Sequence, residues 1–142
     1  MENALDLYDE LNKAGVRFYH WDLMDEQAAT IELEGSYGIF MDFANIPTSA
    51  EELVVVAHEG GHVATGATHR VSSPYDLVAK HEYKADKWAV QRVIPAQALD
   101  AAVADGYTDL HALAEHFNVT EAFMKKAVCL HTHGNLAADL YF

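Results

Sequence analysis

His58-Glu59-Gly60-Gly61-His62 is the stretch that decides how the rest of this chain is read. Two histidines four residues apart on a helix are offset by about 40°, so both imidazoles leave one face. That pair suits a single Zn²⁺, and Glu59, one residue along, is placed to take a proton from a water on the same ion. The chain holds nine histidines, yet its composition alone gives about 0.04 such runs by chance. The run is therefore a signal and not a by-product of histidine content.

A catalytic zinc needs a third protein ligand and an open fourth position. Downstream lies His81-Glu82-Tyr83-Lys84-Ala85-Asp86-Lys87-Trp88-Ala89, with Glu82 falling 20 residues after His62. That distance lets one helix end, a loop turn, and a second helix return alongside. Glu82 and Asp86 share a face at i, i+4 spacing. We assign Glu82 as the third metal ligand. Asp86, a turn later, is the carboxylate that takes the free N–H of His58 or His62, as ligating histidines usually require. The bland alternative, a solvated acidic face, is disfavoured by the position so soon after the histidine pair.

The set H-E-x-x-H, then E-x-x-A-D-x-[FW]-A, then Ile-Pro resembles the ImmA/IrrE-type metallopeptidases, small relatives of the gluzincins. The matching residues are His58, Glu59, His62, Glu82, Ala85, Asp86, Trp88, Ala89, Ile94 and Pro95, and the resemblance runs from about Gly38 to about Gly134. It implies a regulatory protease that cuts a repressor or similar transcription factor. It also implies a substrate strand added at the sheet edge before the active helix, which we place at Tyr37 to Asp42. One departure is Gly60, where the family usually carries a bulky residue. The metzincin pattern fails, because its third histidine position is Thr68, with His69 one step late, and its glycine position is Thr65, with Gly66 following. His69 is kept as a loop residue close to the metal.

Composition bounds the remainder. With 142 residues, the chain reads as one domain able to bury a core without staples. Within 1–142 we expect an N-terminal helix and sheet over 1–48, metal-site helices over 49–95, and a C-terminal helical segment over 96–142. The fold class is α+β, a small three-stranded antiparallel sheet on a mainly helical zincin-like domain. A lone cysteine, Cys129, excludes a disulfide framework and is expected to pack in the last helix. The acidic N-terminus lacks a basic, apolar leader, and no run of 18 apolar residues exists, so a cytoplasmic location with no membrane contact is expected. A net charge of −13 repels phosphate backbones, arguing against direct nucleic-acid binding and for a basic protein or peptide partner.

Leu5, Tyr8 and Leu11 form a helical stripe closed by Gly15. Strands are read at Val16–Trp21, Ala29–Leu33 and Tyr37–Asp42. Ser49 with Glu52 fits a capping box at the start of the active helix. Leu53 to Ala57 is apolar all round, marking that helix as buried. Gly60 and Gly61 each cost about 1 kcal/mol inside a helix, tolerable where a backbone presses close. Ser73 and Pro74 start a second helix that ends near Ile94-Pro95. Further helices are expected at Ala96–Asp105, Asp109–Phe117 and Thr120–His131.

The last two of these resemble a helix-turn-helix. Glu121 at the start of its second helix, with only Lys125 and Lys126 later, argues against a DNA reader, and the resemblance implies that the pair packs within the peptidase domain. The pair His131 and His133 reads as two tail histidines, not a second metal site. Mechanistically, His58, His62 and Glu82 hold one Zn²⁺ per chain and Glu59 is the general base. An oxyanion donor is needed, with Tyr75 and His69 as candidates and Tyr83 turned about 100° from Glu82. The rival function is a non-catalytic zinc-fold module that binds or senses a protein partner. It predicts a damaged Glu59 or a missing ligand, and the sequence has neither.

Overall fold

A computed structural model describes residues 3–68 and 74–142. The first helix, α1 (Ala4–Lys13), is capped by Asn3, whose Oδ1 accepts from the Asp6 amide. Its buried stripe is Leu7 and Leu11, flanked by half-buried Tyr8, while Leu5 is 77% exposed. Residues spaced three apart drift around a helix, whereas the i, i+4 pair stays on one face. The stripe read from Leu5 is corrected accordingly. Gly15, at φ +92°, lets the chain turn sharply into the sheet.

Three strands follow: β1 (Arg17–His20), β2 (Ala28–Leu33) and β3 (Ser36–Met41). They are not consecutive hairpins. The sheet order is β1-β3-β2, with β1 parallel and β2 antiparallel to β3, so the sheet is mixed and not antiparallel throughout. Burial accounts for the order: β3 carries Ile39 and Met41, both fully buried, and takes the sheltered middle place. The β2–β3 hairpin closes through Glu34 and Gly35, both left-handed as a two-residue turn demands. Residues 21–27 carry the chain from β1 past β3 to the far edge. Buried Asp42 accepts the Leu23 amide, and Asn45 Nδ2 donates to the carbonyls of Met24 and Glu26.

Below the sheet runs α2 (Ser49–Thr65), then α3 (Tyr75–Val93). The cap of α2 is Thr48, not Ser49: Thr48 Oγ1 accepts the Glu51 amide at 3.1 Å. Both Thr48-x-x-Glu51 and Ser49-x-x-Glu52 fit the capping pattern. The choice falls on the first, with Glu52 instead accepting the Tyr8 hydroxyl at 2.8 Å and tying α1 to α2. Gly66 closes α2 in the left-handed conformation. At the start of α3, Pro74 occupies the cap position, one residue later than expected, and Ser73 lies outside the described residues. Three shorter helices complete the chain: α4 (Ala96–Ala104), α5 (Leu110–Phe117) and α6 (Glu121–His133). The core cluster runs from Leu7 to Leu130, and Cys129 on α6 is also buried.

The two glycines of α2 differ in role. A Cβ on Gly61 would sit 2.8 Å from the Ala85 Cα and 2.9 Å from its carbonyl carbon, so α2 and α3 touch backbone to backbone there. A Cβ on Gly60 would meet only side chains, Leu11 at 3.2 Å and Trp88 at 3.3 Å. Leu11 and Trp88 fill the room beside Gly60.

Gly61→Ala is therefore expected to destabilise the protein by about 2 kcal/mol, overpacking exceeding the gain in helix propensity. Gly60→Ala should stay within about 1 kcal/mol of wild type, since flexible side chains yield. Urea unfolding of both variants checks this, and equal midpoints would contradict it.

Candidate metal centre

Helix periodicity puts His58 and His62 on one face of α2, with His62 buried and His58 half-buried. The contact at Gly61 and Ala85 brings α3 against that face, so Glu82 reaches both rings. Its Oε2 lies 2.7 Å from His58 Nε2 and its Oε1 3.1 Å from His62 Nε2. The two Nε2 atoms are 3.2 Å apart. Ligands about 2.05 Å from one tetrahedral ion stand about 3.3 Å from each other. The nitrogen pair fits that edge.

The remaining ring nitrogens are already occupied. His62 Nδ1–H donates to the Ala67 carbonyl at 2.6 Å, and His58 Nδ1 meets Asp86 Oδ1 at 2.6 Å. A carbonyl can only accept, so His62 carries its proton on Nδ1 and turns an Nε2 lone pair inward. With His58 Nδ1–H donating to Asp86, its Nε2 lone pair also faces Glu82. Two lone pairs and a carboxylate converging on one point repel one another unless a cation or protons lie between them. His58, His62 and Glu82 thus form a group able to hold a metal ion, with donor atoms all within 4.8 Å.

The electrostatics point the same way. Burial works against a charged His58, but hydrogen bonds to Asp86 and Glu82 outweigh it and push the ring up to about 10. His62 is also raised: burial opposes its charge and the hydrogen bonds to Glu82 and Ala67 override it. Hydrogen bonds from His58 and His62 hold Glu82 far below the usual carboxylate range. Asp86 is lowered as well, since His58 and Lys126 outweigh its burial. When no metal is bound, protons take the place that a cation would fill.

Glu59 is buried and turned toward β2, where the Thr30 hydroxyl donates to its Oε1 at 2.9 Å. Beside it opens a cleft of about 1050 Å³, walled by residues 25–31, by α2 and α3, and by the first turns of α6. The strand along this cleft is β2. Tyr37 to Asp42 cannot be the receiving edge, because β3 is paired on both sides. Its central place follows from the burial of Ile39 and Met41. Of the oxyanion candidates, Tyr75 is 84% exposed and absent from the cleft lining, while His69 lies outside the described residues. Tyr83 is also absent from it.

Three participants escaped the sequence reading. Thr30, the Ala67 carbonyl, and Lys126, whose Nζ meets Asp86 Oδ2 at 2.9 Å, act across long sequence distances or through main chain. No local pattern marks them. Asp86 orients His58 alone. The α5–α6 pair packs inward through Leu113, Phe117, Phe123 and Met124. His131 donates to the Ile94 carbonyl at 2.7 Å and His133 stacks on Tyr141, so they do not converge on one ion.

A family model, the IrrE N-terminal-like domain of a peptidase family, matches residues 46–128, more than half of the chain. No curated protein and no solved structure matches.

The pH dependence has a definite sign. His58 has a folded pKa of about 10 against about 6.5 unfolded, so it stabilises the metal-free fold below about 6.5, and this is lost as pH rises through about 10. Glu82 and Asp86, both depressed, contribute above about 4 and lose that on acidification. Metal-free protein should lose stability from pH 6.5 towards 10 and release protons on taking up Zn²⁺ near neutrality. Calorimetry in buffers of different ionisation enthalpy reads the released protons, and a count of zero would contradict the arrangement.

Proposed function

The chain belongs to the IrrE N-terminal-like peptidase family, and from that premise we propose that it is a zinc-dependent endopeptidase acting on a regulatory protein. The observation that carries this reading is the three-donor group with buried Glu59 beside it in an open cleft. His58, His62 and Glu82 hold the ion. When bound, Zn²⁺ supplies Lewis acidity, polarising a carbonyl and lowering the pKa of water to about 7.

The protein's own groups do the rest. Glu59 accepts a proton from the attacking water as the new C–O bond forms, then returns it to the departing amine as the C–N bond breaks. Thr30 fixes the Glu59 carboxylate through Oε1. Asp86 and the Ala67 carbonyl hold the two imidazoles in one tautomer and orientation. An extended substrate segment adds to the outer edge of β2, which among the described residues pairs with β3 alone. The −13 charge favours a basic partner, and a helix-turn-helix repressor or related transcription factor is the substrate we propose. No described helix is long and apolar enough to cross a membrane. A cytoplasmic setting suits the single buried thiol.

Glu59→Gln tests this reading. The variant should bind Zn²⁺ as wild type does while cleavage of a basic helix-turn-helix repressor substrate drops by about 10²–10⁴-fold. Gel analysis of the cut with and without a chelator supplies the measurement. An unchanged biological effect in Glu59→Gln would favour a binding module, and no zinc-dependent cut by wild type would count against the protease.

A further inference from the structure

We propose that Lys126 is a positioning residue of the metal centre, holding through Asp86 the ring orientation of His58. The inference rests on the metal reading above. Asp86 has two oxygens and two partners: Oδ1 meets His58 Nδ1 at 2.6 Å and Oδ2 accepts from Lys126 Nζ at 2.9 Å. The chain of contacts runs from a residue on α6, through α3, to a ligand on α2. Phe123, Met124, Ala127 and Leu130 are buried on α6, so the Lys126 backbone is set by the core. Its side chain extends into the cleft beside His58, Glu82 and Asp86, and it is the only lysine or arginine among the described residues lining that cleft.

The physical need is orientational. A carboxylate at the end of a short side chain turns about χ2, and one hydrogen bond to His58 does not fix its plane. The second bond does. Asp86 is itself about one-fifth exposed, so without Lys126 its Oδ2 turns to water and the His58 ring loses the fixed angle at which Nε2 meets the ion. Lys126 touches neither the ion nor substrate in this scheme, so its effect must travel through Asp86.

Zn²⁺ affinity, measured by competition with a chromophoric chelator, tests this without any substrate. Lys126→Met should bind Zn²⁺ about 10–100-fold more weakly, with an altered visible spectrum of the Co²⁺-loaded protein, and Lys126→Arg should restore most of the affinity. Asp86→Asn should lose affinity too, and adding Lys126→Met to it should cost less than about 3-fold more, since the path is already cut. Lys125→Met, one residue away and without contact to Asp86, should match wild type. Should Lys126→Met not fold, Lys126→Leu, which also lacks a donor, carries the same comparison. Wild-type affinity in Lys126→Met, or an undiminished loss when Asp86→Asn is already present, overturns the proposal. A wild-type chain that binds no Zn²⁺ overturns the metal reading itself.

Discussion

The backbone contact between Gly61 and Ala85 is the constraint on which the site depends. Packed helices ordinarily stand 8–10 Å apart, set by the side chains between them. With no side chain at Gly61 and a single methyl at Ala85, α2 and α3 come together at a point one turn from both His58 and Glu82. A glutamate has a fixed reach. If a larger residue separated the helices by even one ångström, Glu82 would lose its hold on one of the two Nε2 atoms, now at 2.7 and 3.1 Å. The glycine that weakens α2 as an isolated helix is what lets it share a ligand set with its neighbour.

Charge explains why that shared space suits a dication. Around the two imidazoles, Glu59, Glu82 and Asp86 bring three negative charges and Lys126 returns one positive, leaving two negative with both rings neutral, and Asp25 and Glu26 add further negative charge elsewhere along the cleft lining. Protons on His58 and His62 neutralise this, but only by charging two rings against their own burial. One divalent ion cancels the charge and lets both rings stay neutral, with Nδ1–H still donating to Asp86 and Ala67. The raised histidines and depressed carboxylates are thus two expressions of one arrangement, built around positive charge.

What the sequence displays well is whatever repeats locally. The i, i+4 spacing of His58 and His62, and again of Glu82 and Asp86, converts directly into shared helix faces, and each pair lies where that spacing puts it. Strand order is different. The three strands were legible one by one, but short apolar strands do not announce their partners, and burial of Ile39 and Met41 put β3 between the others. The choice of Thr48 over Ser49 as helix cap likewise turned on a distant residue, Tyr8, drawing Glu52 away. Thr30, Ala67 and Lys126 lie 29, 5 and 40 residues from the groups they hold, and two of those contacts span separate elements. Hydrogen bonds of that kind have no period to detect.

The placement of β2 joins two requirements that are usually discussed apart. Its residues 28–31 line the cleft, its outer edge has no strand partner among the described residues, and Thr30, on the same strand, holds Glu59. Under the proposed function, substrate backbone and general base are then referenced to one element. That matters because a misplacement of about 1 Å between reacting groups can cost 10²-fold in rate. If β3 had occupied the edge, the receiving strand and the strand gripping Glu59 would be different ones, and any shift between them would disturb the alignment of water, carboxylate and carbonyl. A mixed sheet with β3 buried in its middle removes that freedom.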